Sequence, residues 1–385
     1  MEYNRVVPQR KNQKEKRNMF KLPEYIPPDF SQDKFRRSPD VKIAAAEQDG
    51  VVPDNFHATS MYPEYFKIGG AWVLAEESRM DSAVLLRDSG RLDVVEMRNV
   101  KRGDRVLQGR SENCEEGIFL HANGFQSQHF NGEKSHADNF VFRSSRSRET
   151  AYSRDYDRLY ELLKYERDHG NIVWVMGPAF AFDADARRAM QGLIEEGYVD
   201  GLLAGNALAT HDLEAALFRT GLGQDIYTQE TRPNGHYNHL DILNMARREG
   251  SIPGLIAGHN IKDGIIFSLV KNKIPFVLTG SIRDDGPMPE TIGDAYEGQR
   301  QMRELIRKAT TMICLATQLH TIAAGNLTPS FRVVDGVVRP LYIYSVDISE
   351  FVVNKLYDRG SLSAISIVTN AQDFIVHVAK GTGIF

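Results

Sequence analysis

Cysteine is nearly absent: Cys114 and Cys314 are the only two in 385 residues. Two isolated thiols exclude a disulfide framework and any metal site built on CxxC pairs. Long apolar runs are missing as well, none approaching the ~18 residues that span a bilayer. The opening stretch MEYNRVVPQRKNQKEKRNMF has no apolar centre of the kind a secretory leader needs. Neither sign of charge dominates, with 47 Lys+Arg against 51 Asp+Glu and a formal charge of −4. That balance gives no general attraction to nucleic acid or to an anionic membrane. These absences predict a cytoplasmic protein without nucleic-acid or membrane partners. Two catalytic signatures are missing too. No GxGxxG fingerprint occurs, so a standard Rossmann arrangement is not expected and any dinucleotide must be held by a different loop arrangement, and no GxSxG elbow supports a Ser–His–Asp hydrolase.

What remains is ordinary globular composition, 42% hydrophobic and 25% charged, arranged in three zones. Residues 1–50 read as an extended basic and Pro-rich segment, with Arg10, Lys11, Lys14, Lys16 and Arg17 followed by LPEYIPPDF. A solvated tail or a partner-binding arm fits that composition. Residues 51–150 read as a small β-rich domain: short strands at Trp72, Ser82–Leu86, Asp93 and Arg105 alternate with the turns IGGA, DSGR and KRGD. The Arg/Ser-rich stretch 142–155 is expected to be a link. Residues 151–385 alternate unbroken apolar runs with helical spacings of 10 to 15 residues, the grammar of a parallel sheet covered on both faces. The fold class is therefore α/β.

Chemistry gathers where the apolar runs end. LLAG runs into Asn206, Ala207, His211 and Asp212; FVLTG280 into Ser281, Arg283, Asp284 and Asp285; ICLAT into His320 and Asn326; YIYSV into Asp347. In open α/β sheets ligands bind beyond the carboxyl ends of the strands. Small residues such as Gly205, Gly280 and Ser281 let a phosphate approach the backbone, and carboxylates there accept from ribose hydroxyls. Each residue also has a plainer role. Asp212 suits the first turns of a helix by its charge, and Asp284–Asp285 before Gly-Pro suits turn chemistry. In GHYNHLDIL, His236 and His239 lie one helical turn apart; without a third ligand the pair fits substrate contact or capping better than a metal, and no metal is expected.

The stretches FHATSMYP (56–63), GYVDGLLAGNALATHDLE (197–214), NGHYNHLDILN (234–244), FVLTGSIRDDGPMPE (276–290), ATQLHTIAAGNLTPS (316–330) and VDISEFVVNKLYDRGS (346–361) together resemble the archaeal-type ornithine cyclodeaminase family. The resemblance covers roughly residues 54–375. It implies a small LOR/SDH-type domain before a parallel-sheet, deoxyhypusine-synthase-like NAD-binding domain, with tightly bound NAD and a homo-oligomer, dimer or tetramer. It further implies redox-neutral conversion of L-ornithine, or a related diamino acid, to L-proline and ammonia. A hydride leaves the α-carbon for NAD, the δ-amine attacks the resulting imine, ammonia departs, and the cyclic imine is reduced. Under that resemblance Asn206, Ala207, Asp212, Gly280, Ser281, Asp284, Asp285, His320 and Asp347 surround the cofactor. His57, His236, Arg283 and Asn326 are candidates for the amino-acid substrate, and His211, His239 or Lys355 for the catalytic base. The chain departs from the family pattern at GPAFAFDAD (177–185), SSRSRET (144–150) and RTGLG (219–223), on the substrate side. Amine transfer in the manner of deoxyhypusine or homospermidine synthases, and a non-catalytic NAD-binding module, are the alternatives.

Overall fold

The computed structural model describes residues 20–125, 153–284, 286–348 and 363–385. The stretches 142–155 and 346–361 singled out above lie partly, and SSRSRET (144–150), Asp285 and Lys355 wholly, outside them.

Six strands form the sheet of the larger unit: β1 (Ile172–Met176), β2 (Gly201–Gly205), β3 (Phe276–Thr279), β4 (Thr311–Leu315), β5 (Tyr342–Asp347) and β6 (Ala364–Val368). All neighbouring pairs are parallel, in the order β3-β2-β1-β4-β5-β6. This is the doubly wound dinucleotide-binding order, with its reversal between β1 and β4. The missing glycine fingerprint led away from a standard Rossmann arrangement, yet the topology is that one. Nine helices are used below: α1 (Ser153–His169), α2 (Ala184–Glu195), α3 (Asn206–Phe218), α4 (Asn238–Glu249), α5 (Ile252–Gly258), α6 (Ile265–Lys271), α7 (Ala295–Ile306), α8 (Gln318–Leu327) and α9 (Ala371–Thr382).

The run IVWVM shows why both sheet faces are covered. Side chains alternate across a strand, so Ile172, Trp174 and Met176 enter the core under α1–α6 and α9, while Val173 and Val175 enter the one under α7 and α8. All five are buried, each large one contributing about 1.5–3 kcal/mol. The Trp174 indole N–H is satisfied by the Tyr198 carbonyl at 2.8 Å.

The β-rich unit is two antiparallel sheets. Its IGGA turn is a two-residue hairpin with Gly69 and Gly70 at φ 58° and 83°, a twist only glycine adopts without strain. Lys42–Ala45 pairs with Arg105–Gln108, and Phe35, Val41 and Ala46 are buried. This moves the boundary from residue 50, because the segment from about residue 25 packs on the β-rich unit, Tyr25 Oη lying 2.9 Å from Tyr65 Oη and Phe30 stacking on Trp72. Among the described residues no helix is long and apolar enough to cross a membrane.

Candidate active site at the carboxyl edge of the sheet

At the reversal point the Gly177 amide donates to the Leu315 carbonyl at 2.9 Å. A Cβ on Gly177 would lie 2.1 Å from the Ala316 carbonyl oxygen, so the loops leaving β1 and β4 meet only because residue 177 is glycine. Two helices begin at this edge without a side-chain cap: α3 behind Gly205 and α8 behind Thr317. By contrast Asp183, Asp294 and Asn370 cap α2, α7 and α9. Uncapped first-turn amides are orphan donors backed by the helix dipole, which is what an anionic pyrophosphate requires.

His320 spans the ends of β2 and β3. Its Nε2 is 2.7 Å from Thr279 Oγ1, its Nδ1 is 3.3 Å from Thr317 Oγ1, and its Cε1 is 3.2 Å from where a Cβ on Gly205 would stand. Burial holds its pKa below the ordinary value of 6.5, with Asp284 opposing. A depressed folded pKa means that protons bind the unfolded chain more readily. The stability tied to neutral His320 is therefore present above pH 6.5 and is lost as pH falls through the folded value. Melting temperatures of wild type and His320→Gln between pH 7 and 5 should diverge less at the acidic end; parallel curves would refute this.

The loop after β3 answers for its density of charge and turn residues. Asp284 Oδ2 accepts the Ser281 N–H at 2.7 Å, and Ser281 Oγ accepts the Arg283 N–H at 3.2 Å. The Gly280 amide donates to the Ile292 carbonyl at 2.8 Å. Asp284 thus builds the turn, and Arg283 and Ile282 project into solvent. Asn206 Oδ1 ties this loop to α3, accepting from the Met288 amide at 2.9 Å and from Thr291 Oγ1 and Thr210 Oγ1, both at 3.3 Å. Its amide oxygen is thereby used within the protein, and Ala207 follows it in the first turn. Asp347 ends β5 on the same edge, its carbonyl accepting from the Thr369 amide at 3.2 Å.

From Leu208 to Ala215, α3 is buried on every side. Polar groups in such a helix must be paired, and HDLE is. His211 Nδ1 is 2.9 Å from Glu214 Oε2. Glu214, fully buried, also accepts from Thr220 Oγ1 at 2.8 Å and from the Leu222 and Gly223 amides at 3.2 and 3.3 Å. The RTGLG loop makes this possible: Arg219 ends α3 in the left-handed region at φ 61°, which folds Leu222 and Gly223 back over the carboxylate. Four donors satisfy the Glu214 carboxyl oxygens, and a carboxylate facing Nδ1 favours the His211 tautomer that carries its proton there. His211 Nε2 is left without a hydrogen bond among the described residues. The ring packs against Phe182, from the loop after β1, at 5.1 Å and against His239 of α4 at 5.9 Å. His239 Nδ1 is itself buried and unpartnered. Glu214 was missed at the sequence level; its signal was the i, i+3 spacing from His211.

Other expected site residues lie elsewhere. Asp212 is a correction: it is fully buried, Oδ1 accepting from Arg187 Nε at 2.9 Å and Oδ2 from the Ile266 amide at 2.8 Å. Both oxygens are spent on an ion pair and on capping α6, so no ribose hydroxyl is within their reach. His57 is a second correction, locked against Glu64 at 2.9 Å inside the β-rich unit and 2% exposed. His236 is exposed and leans on Tyr237, ring centroids 4.1 Å apart. Asn326 lies near the far end of α8 from His320, its carbonyl held by Arg79 Nε at 2.6 Å.

The sequence of residues 159–378 matches the family described as arginine dihydrolase ArgZ-like, C-terminal, Rossmann fold. The chain is 38% identical over 346 residues to the ornithine cyclodeaminase of Methanocaldococcus jannaschii, covering 87% of this chain and 76% of that one. Its fold is similar to the crystal structure of a conserved LOR/SDH protein from Methanococcus maripaludis, with a TM-score of 0.77, 32% identity and coverage of 89% and 98%. It is also similar to AgrE, a bifunctional arginine dihydrolase/ornithine cyclodeaminase of Nostoc sp.. The AgrE structure was solved as a ternary complex with ornithine and NAD+; the TM-score is 0.55 and the identity 30%, over 90% of this chain and 46% of that one. Shared sequence along most of its length and a shared fold place the chain in one group of enzymes: it belongs to the archaeal-type ornithine cyclodeaminase family.

Proposed function

We propose that this enzyme converts L-ornithine to L-proline and ammonia with NAD held at the carboxyl edge of the sheet. The observation that carries the reading is the His211–Glu214 dyad, its Nε2 without a hydrogen bond among the described residues and its ring 5.9 Å from that of His239, whose Nδ1 is buried and unpartnered. The ornithine and NAD+ complex of AgrE supports the choice of ligands. Bound NAD would supply the oxidising and then the reducing power, taking a hydride from the α-carbon and returning it to the cyclic imine.

The chain's own residues do the rest. The uncapped starts of α3 and α8 offer amides to the pyrophosphate, and His320, Ser281 and Asp284 line the same edge. An α-ammonium cannot release hydride, because its nitrogen lone pair is tied to a proton. His211 Nε2 removes that proton, and Glu214 stabilises the imidazolium that forms. The same imidazolium then returns its proton to the departing ammonia. His239 Nδ1 is a second polar contact for the amino acid, and Arg283, exposed at the loop tip, is the cation of the type that clamps a carboxylate. Phe182 beside His211 excludes water that would hydrolyse the imine.

The test is direct. Purified protein is denatured, any released nucleotide is identified, and ammonia and proline are followed from ornithine without added reductant. Equimolar proline and ammonia with no net NADH is the expected result. A protein that takes up no NAD, or that accumulates NADH without proline, would overturn the proposal.

A further inference from the structure

Helix α8 runs for 10 residues, about 15 Å, between the carboxyl edge of the sheet and the β-rich unit. Near its start His320 bridges Thr279 and Thr317. At its end two arginines hold the last carbonyls: Arg79 Nε donates to Asn326 at 2.6 Å, and Arg303 donates to Leu327. Arg79 belongs to the β-rich unit and is paired with Glu96 of that unit. Arg303, on α7, is 8% exposed and pairs across the boundary with Glu77 at 3.1 Å, which also receives Arg307 at 3.3 Å. The strand after α8 continues the docking, with the Ser330 amide on the Ser78 carbonyl at 2.9 Å and the Val333 amide on Glu76 at 3.0 Å.

Cations at a helix C-terminus satisfy orphan carbonyls and oppose the negative end of the dipole. The anchor matters for α8 because a helix this short is marginal by itself. Its start has no side-chain cap, and Leu319 there is 71% exposed. A rod tethered at one end transmits the tether's position to the other.

We propose that Arg79 is a positioning residue for the dinucleotide site: it ties the end of α8 to the β-rich unit and so holds His320 across the ends of β2 and β3. The β-rich unit then acts as a gauge that sets the depth of α8 relative to the sheet. This rests on the reading of that edge as the NAD site.

The full-length chain is compared with Arg79→Met, Arg79→Lys and Arg339→Met. The last breaks the buried pair with Glu166 at the opposite edge of the sheet and reports on stability alone. NAD affinity is read by calorimetry, stability by thermal melting, and α8 by hydrogen exchange of the 318–327 peptide. Arg79→Met should weaken NAD about tenfold and speed exchange in the peptide. Arg79→Lys keeps a charge for Glu96 and a donor for Asn326 and should recover part of both. Arg339→Met should lower the melting temperature with NAD affinity and peptide exchange unchanged. An Arg79→Met protein with wild-type affinity, or with wild-type exchange in α8, overturns the anchor. Wild type that binds no NAD overturns the dinucleotide reading and the positioning role built on it, and that case is recognised by α8 still loosening in Arg79→Met.

Discussion

Replacing His211 by Gln is expected to lower kcat for ornithine cyclisation by about 10²- to 10⁴-fold, the usual worth of a general base. Glu214→Gln should cost nearly as much. Glu214 receives four donors, including His211 Nδ1, and an amide in its place supplies no charge to hold the Nδ1–H tautomer or to stabilise the imidazolium. The two residues act as one device, so the double variant should be scarcely worse than His211→Gln alone. NAD affinity should stay near wild type in all three, because the dyad stands on the second and third turns of α3 and the nucleotide edge is built from other side chains. Melting curves verify that each variant is folded before its rate is read. Losses that multiply in the double variant, or a Glu214→Gln enzyme with normal kcat, would remove the dyad from the mechanism.

The second large effect concerns stability. Asp212→Ala should destabilise the protein by about 3–5 kcal/mol, the cost of leaving a buried charge without its partner. Arg187 is 4% exposed, and its other acidic neighbour, Asp263, is 3.8 Å away and more than half exposed. The amide of Ile266 also loses its acceptor. Gly264 shows how tightly this corner is built: φ is 106°, and a Cβ would meet the Arg187 guanidinium at 2.5 Å. Urea unfolding measures the loss directly. Replacing both partners with apolar residues, Asp212→Leu with Arg187→Met, should restore much of it, because neither charge is then buried. The folded fraction of Asp212→Ala should bind NAD normally. A nucleotide defect without a stability defect would return Asp212 to the cofactor and sink the structural assignment.

Asp212 and Glu214 mark where reading the chain succeeded and where it could not. In the linear sequence His211, Asp212 and Glu214 are equivalent polar residues beside a strand end. At about 100° per residue His211 and Glu214 share a helix face while Asp212 points away from it, and what each face meets belongs to what packs there. Asp212 meets Arg187, 25 residues away, and the start of α6, 54 residues away. Glu214 meets amides only 8 and 9 residues on, but through a left-handed turn at Arg219 that propensity would not place at an arginine. The absent GxGxxG misled for a similar reason. It describes one way of approaching a pyrophosphate, whereas strand order follows from which apolar runs pair, a long-range outcome.

The chain alone settled whatever depends on local periodicity and composition. Short unbroken apolar runs such as IVWVM, set between longer helical spacings, read as interior strands of a covered sheet, and GG between short alternating runs reads as a tight turn, because burial and positive φ are tied to residue type. Family membership was legible in the same way, from long contiguous stretches. Folding decided everything that depends on direction in space: the order of the six strands, which of three neighbouring polar residues faces the chemistry, and the bond from Arg79 to a helix end 247 residues away. Those outcomes rest on contacts between segments far apart in sequence, whose free energy is set by geometry that no local pattern encodes.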